Sequence, residues 1–420
     1  MNSVFWISIY VLLIVIIPNG IWVRSAFDLR TWMICSVMLL LPSCITLIRQ
    51  KKIKMESVDI VLLALIMLVP ISESFKANFS QVLGSLLRAL LYIYLPYLAG
   101  KYLIKDEKQL IMFFCFFALA AIVLSLVAFW ENYFHLSFYQ ELGLFSADDD
   151  EWLSGQTLYV RFDQFRVTAS FSHPLFLGTF FDLVVLANIL ILVIYKSLAS
   201  RFVTILLYVS IVLAAIATLL TQSRTSIVAL GIVLVLLFMQ NARKIRLILL
   251  VTFVSSLVYF LINYFFSDYL GDFIQRGFSL SSQESTTNFD FRLEMMIQSA
   301  VYLFTYLNFF GEGVINNVQL YQFVYNTDLL NGFLYAFLTK GIFYGLLILV
   351  VWIKAFKTTY LSRKYDNHAR MFLFILIYLF IVNNITMLYG QNEIIFFMFI
   401  GIIFSPYLRT QRAVSPIPAV

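Results

Sequence analysis

Charge is what this chain has least of. Of its 420 residues only 12% are Asp, Glu, Lys or Arg, against about 25% in soluble domains. That supply cannot cover the surface of a soluble fold of this length, so an ordinary globular enzyme is excluded. Disordered and low-complexity chains are excluded as well, since both need polar residues in excess. Cysteine is scarce: Cys35, Cys44 and Cys115 all fall in apolar stretches, with neither disulfide pairing nor metal-ligand spacing. Histidine is as rare, and His135, His173 and His368 sit far apart. Without a His-x-Glu or His-Glu-x-x-His element, neither a metal centre nor a cofactor is expected. The run Asp148-Asp149-Asp150-Glu151 comes nearest to a cation site, but consecutive carboxylates more often form a solvated face.

Apolar residues are plentiful, at 61% of the chain. A spanning helix needs about 20 of them in sequence. Windows bounded by charges fall at about 4–23, 31–48, 57–71, 83–100, 110–130, 174–195, 202–220, 225–240, 247–266, 332–353, 371–389 and 393–408. The expectation is an all-α polytopic membrane protein, a single integral membrane domain over 1–420 with about twelve transmembrane helices. The first window, Val4 to Val23, is long enough to stay as a span rather than act as a removable signal.

A net charge of +6 does not point to nucleic acid, because the basic residues sit in short clusters between apolar runs, where they set topology. With a cytoplasmic N-terminus, one set of joins holds residues 49, 51, 52, 54, 101, 105, 108, 196, 201, 243, 244, 246, 354, 357, 363, 364, 370, 409 and 412, the larger part of the 29 Lys and Arg. Both termini are therefore expected in the cytoplasm. Two long outer loops remain, 131–173 and 267–330, and long loops in a compact protein usually carry function. The second contains an amphipathic stretch, about 290–310, whose Asp290, Glu294 and Gln298 line one polar face. Such a helix either roofs a cavity or packs on the bundle.

The basic residues that the inside bias leaves unexplained carry more information. Arg224 stands in Thr221-Gln222-Ser223-Arg224-Thr225 between two apolar runs, Arg166 precedes Ala169-Ser170-Phe171-Ser172-His173-Pro174, and Arg276 and Arg292 lie in the large outer loop. Arg88 falls about two turns inside the fourth window. Arginine stays protonated and grips phosphate oxygens in a bidentate fashion, and ionisable groups in a membrane are candidates for function. The alternative for each is a nearby carboxylate or a lipid phosphate reached by snorkelling.

In combination these pieces are familiar. Thr221-Gln222-Ser223-Arg224-Thr225 resembles the Ser-Arg-Thr element of the bacterial O-antigen polymerase and O-antigen ligase family. Arg166 with Ala169-Ser170-Phe171-Ser172-His173-Pro174 and Gly178 resembles that family's Arg, Gly-x-Phe, Pro pattern. Phe291-Arg292-Leu293-Glu294-Met295 and Phe310-Gly311-Glu312-Gly313 resemble its large-loop arginine and Gly-x-Gly turn. Asn331-Gly332-Phe333-Leu334, with Gly341 and Gly345, resembles the Asn element before the next span.

The resemblance covers roughly 160–350 and implies a GT-C-like fold. It implies glycosyl transfer at the outer face of the bacterial inner membrane from an undecaprenyl-diphosphate-linked oligosaccharide, with no nucleotide sugar or obligatory metal. A hydroxyl of another glycan attacks the anomeric carbon and the lipid diphosphate leaves. By that resemblance Arg224 and Arg292 stabilise the leaving diphosphate, with Arg166 and Arg276 in support; Arg166, Arg276, Arg88, Asn331, Glu294 and Glu312 are the candidate substrate-binding residues. Ligase members carry a His before the Asn of the last element, where this chain has Leu330. A polymerase is therefore expected over a ligase, with Asp328 as substitute base and Glu294 or Glu312 as alternatives. Membrane lipids and a chain-length regulator are the partners implied. The rival from another class, a flippase for lipid-linked sugars, should show paired halves with matching interruptions, and the two long loops have no such counterparts.

Overall fold

The computed structural model describes residues 3–18, 22–23, 29–41, 45, 55–74, 79–142, 160–161, 164–240, 294, 296–305, 309–311, 331–364, 366–386, 388 and 390–410. In chain order the helices are α1 (Ser3–Ile16), α2 (Thr31–Cys35, running into a π-helical turn Ser36–Leu40), α3 (Ser57–Ser74), α4 (Phe79–Leu103, with a π-helical turn Leu90–Tyr94), α5 (Glu107–Phe134), α6 (Phe138–Glu141), α7 (Pro174–Ile194), α8 (Arg201–Thr221) and α9 (Arg224–Gln240). Beyond them come α10 (Met296–Thr305), α11 (Gly332–Lys340), α12 (Ile342–Ser362), α13 (Asn367–Ile385), α14 (Gln391–Ile403) and α15 (Pro406–Thr410). Two antiparallel two-residue pairs, Trp22–Val23 with Leu29–Arg30 and Val160–Arg161 with Gln164–Phe165, are the strands among the described residues.

Helices begin where polar joins supply a cap. Asp106 accepts the Gln109 amide at 2.8 Å ahead of α5, Ser200 accepts that of Val203 ahead of α8, and Asp366 that of His368 ahead of α13. Each satisfies a backbone donor that the first turn leaves without a helical partner. Between these caps the sequence is apolar on every face, as in helices surrounded by lipid and by one another. Six helices, α4, α5, α7, α8, α12 and α13, are long and apolar enough to cross a membrane. The chain is a multi-pass helical membrane protein. α1, α3, α9, α10 and α14 are apolar but shorter. The expected span at 247–266 lies outside the described residues.

α7 is the most enclosed of the six and α8 among the least. Around α7 the core is aromatic. Phe117 of α5 stacks on Phe180 of α7 at 6.1 Å and on Phe399 of α14 at 5.8 Å, and Phe372 of α13 meets Phe399 at 5.5 Å. Offset and edge-to-face pairs of this kind hold four helices at fixed spacing.

Two readings of the sequence need correction. Residues 332–353 do not form one continuous span. The chain reverses at Gly341, whose φ of +95° places it in the left-handed region, and α11 folds back on α12. Phe337 then packs on Gly345, and the Phe333 and Trp352 rings meet at 6.0 Å. Hydropathy is blind to this reversal, because both arms are apolar. Lys101, counted among the loop residues, lies instead inside α4 and is fully buried. Its Nζ stands 2.7 and 3.0 Å from the Asp59 carboxylate oxygens of α3, and the Tyr97 hydroxyl donates to the same group at 2.7 Å. The two charges compensate each other there and the phenol satisfies a carboxylate oxygen, as burial requires.

Candidate active site

The C-terminal ends of α1, α5 and α8 and the N-terminal ends of α7, α9 and α14 gather at one end of the bundle. At their centre runs the segment 166–173, a stretch without regular structure whose backbone needs partners from elsewhere. Glu131, buried in the last turns of α5, supplies several. Its Oε2 accepts the Thr168 and Ala169 amides, each at 2.9 Å, and its Oε1 accepts the Phe138 amide at 3.1 Å. Those bonds hold Ala169 at a φ of +46°. The Ser170 hydroxyl donates to the Val15 carbonyl of α1. From the opposite side Gln391 Nε2 donates to the Ser170 carbonyl at 3.2 Å, and Asn392 Nδ2 to the Phe176 carbonyl at 2.8 Å.

This scaffold fixes Arg166. The side chain is 6% exposed and its Nε donates to the Thr221 carbonyl at 3.0 Å. Thr221 ends α8; Gln222, with a φ of +53°, turns the chain; and Arg224 opens α9, half-buried. Arg166 and Arg224 therefore belong to one bend. Gly178 of α7 lets that bend close, because a Cβ there would come within 2.7 Å of both Ser223 Cβ and Thr221 Oγ1. Beneath it Asp182 sits among hydroxyls, with Thr218 Oγ1 at 3.0 Å from its Oδ1 and Ser226 within reach.

His173 caps α7: its Nδ1 accepts the Leu175 amide at 3.1 Å, ahead of Pro174 in the first helical position. Burial, and secondarily the positive charge of Arg166, lower its pKa to about 4. It is thus neutral at ordinary pH, as an accepting Nδ1 requires.

The other expected residues divide three ways. Asn331, 7% exposed, caps α11 by accepting the Phe333 and Leu334 amides at 3.1 and 3.0 Å, and its Nδ2 donates to the Asn384 carbonyl of α13 at 2.8 Å. Arg88 is exposed on α4, and Glu294 is exposed with Gln298 donating to it at 3.0 Å. Arg276, Arg292, Glu312 and Asp328 lie outside the described residues, as do most of the second long loop and the middle of the first. The sequence reading missed Glu131, Asp182, Gln391 and Asn392. For Asp182 a signal existed, since it is the one acidic residue in a 21-residue apolar helix and such groups are costly unless used.

Residues 209–353, about a third of the chain, match the family model described as O-antigen ligase. The match supports the O-antigen polymerase/ligase family. It takes in Arg224 and Asn331, whereas Arg166 and all of α14 lie outside it. Members of this family are membrane glycosyltransferase-like enzymes acting on lipid-linked glycans, and the multi-pass fold is consistent with the match. No curated protein matches the chain.

Proposed function

We propose that the protein is a repeat-unit polymerase for O-antigen or capsular polysaccharide. It transfers an undecaprenyl-diphosphate-linked glycan to a hydroxyl of a second lipid-linked unit at the outer face of the inner membrane. The observation that carries this reading is the α8–α9 bend, which puts Arg166 and Arg224 at one mouth of a bundle otherwise poor in charge. Two guanidinium groups there suit a diphosphate, whose charge grows as the glycosidic bond breaks. Arg292 and Arg276 join them in this reading, while Arg88 and Asn331 serve the glycan. Leu330, in place of the ligase histidine, favours the polymerase over transfer to a lipid core. Asp328, Glu294 and Glu312 are the carboxylates the resemblance offers for the acceptor's proton.

The test is the surface glycan ladder of a deletion strain restored with wild type or with Arg224→Ala. A polymerase dependent on that arginine gives single repeat units outside in the deletion and in Arg224→Ala, and a full ladder only with wild type. Long polymer left on the lipid carrier would indicate a ligase instead. Units held on the cytoplasmic side would indicate a flippase.

A further inference from the structure

Resting on that reading, we propose that Glu393, rather than Asp328, accepts the proton of the attacking hydroxyl, with Lys340 and Tyr92 positioning its carboxylate. A base must lie near the donor site and must not already be occupied by backbone donors. The described carboxylates at this end of the bundle separate on these criteria. Glu131 has both oxygens engaged by three amides and holds the 166–173 segment. Asp182 is enclosed by the hydroxyls of α8 and α9 beneath the bend. Glu294 is out on an exposed helix face, tied to Gln298, and Glu141 is exposed on α6.

Glu393 is different. It stands in the first turn of α14, directly after Gln391, which holds Ser170 of the arginine segment, and Asn392, which holds Phe176 in the first turn of α7. One helix start thus couples the diphosphate end of the site to this carboxylate. The side chain is half-buried, and among the described residues it takes no backbone amide. Around it stand Lys340 at the tip of α11, Tyr92 of α4 and Tyr344 of α12, with Tyr335 of α11 beside Tyr344. Tyr92, whose hydroxyl donates to the Gly390 carbonyl at 2.6 Å, also reaches the Glu393 side chain. Arg88 is one turn from Tyr92 on α4 and exposed.

The step balances without a further reactant. The acceptor oxygen bonds to the anomeric carbon as the bond from that carbon to the diphosphate oxygen breaks. The hydroxyl proton passes to Glu393, and the leaving diphosphate takes the bonding electrons on Arg224 and its neighbours. An anionic nucleophile would need no base. That property makes the proposal testable in purified full-length protein, with the lipid-linked units that accumulate in deletion cells as donor and sodium azide as the alternative nucleophile.

Glu393→Gln should lower transfer to the sugar hydroxyl by roughly 100-fold or more while still forming glycosyl azide at close to the wild-type rate. Arg224→Ala should form neither product. Lys340→Met should weaken hydroxyl transfer and spare azide transfer. The proposal is overturned by any of three results: full elongation by Glu393→Gln, loss of both reactions in a Glu393→Gln protein that melts and elutes like wild type, or the azide-competent pattern appearing in Asp328→Asn. Wild-type protein that makes no polymer from these units would instead remove the polymerase reading beneath it.

Discussion

His173 shows how much a single residue decides at this site. The spacing His-Pro before an apolar run allows either a catalytic group or a helix cap, and the structure gives it the cap. Its neutral form accepts the Leu175 amide, and protonation would turn that acceptor into a donor facing another donor. Because the folded-state pKa lies near 4, below the 6.5 of a free imidazole, the unfolded chain binds the extra proton first. The contribution of His173 to stability is therefore complete above pH 6.5 and is lost as the pH falls toward 4. Thermal melting of the purified protein should decline over that window. His173→Asn, which keeps a capping acceptor but cannot titrate, should flatten this part of the curve. An equally steep decline in the variant would assign it to other groups. The bend arginines were legible because arginine between two apolar runs has no topological reason to be there. Glu393 was not, since its partners come from α4, α11 and α12, far away in sequence.

At the scale of elements the same division holds. Helices α5, α7, α8 and α13 follow the apolar windows closely, because each run is bounded by residues that also supply its cap. The α11–α12 hairpin does not follow, since both arms are apolar and only the conformation of one glycine separates a bend from a continuous helix. Gly341 cannot accept a side chain on two counts. A left-handed φ costs a residue with a Cβ about 1–3 kcal/mol, and that Cβ would lie 2.2 Å from the Gly311 nitrogen and 2.6 Å from the Phe310 carbonyl carbon. Phe309 closes the contact by accepting the Phe343 amide at 3.1 Å. Gly341→Ala should lower the melting temperature and, by displacing the tip that carries Lys340, depress transfer to a hydroxyl more than the loss of folded protein accounts for. Gly231→Ala on α9, where an added Cβ meets nothing within 4 Å, should keep activity in proportion to folded protein. Equal specific activity in the two variants would mean that the tip does not shape the site.

For the whole molecule the question is which way the mouth faces. The helix ends opposite it carry Lys105, Lys108, Lys196, Arg201, Arg363, Lys364 and Arg370, whereas Arg166 and Arg224 at the mouth are engaged at the α8–α9 bend. Basic residues near span ends are retained on the cytoplasmic side, so we expect the mouth to face outward. A polymerase using donors already carried across the membrane needs that orientation, and so does a ligase, whereas a flippase does not. The consequence can be measured without any glycan. A fluorescent-protein fusion after Arg409 should be bright in living cells, and an alkaline phosphatase fusion after Leu142, beyond α6, should be active. The reversed result would put Arg224 and Glu393 in the cytoplasm, facing nucleotide sugars rather than exported lipid carriers. It would remove the polymerase proposal at a stroke, even though every contact within the bundle would be unchanged. The intramolecular geometry decides what the mouth can bind, and the distribution of lysine and arginine around it decides which substrates it meets.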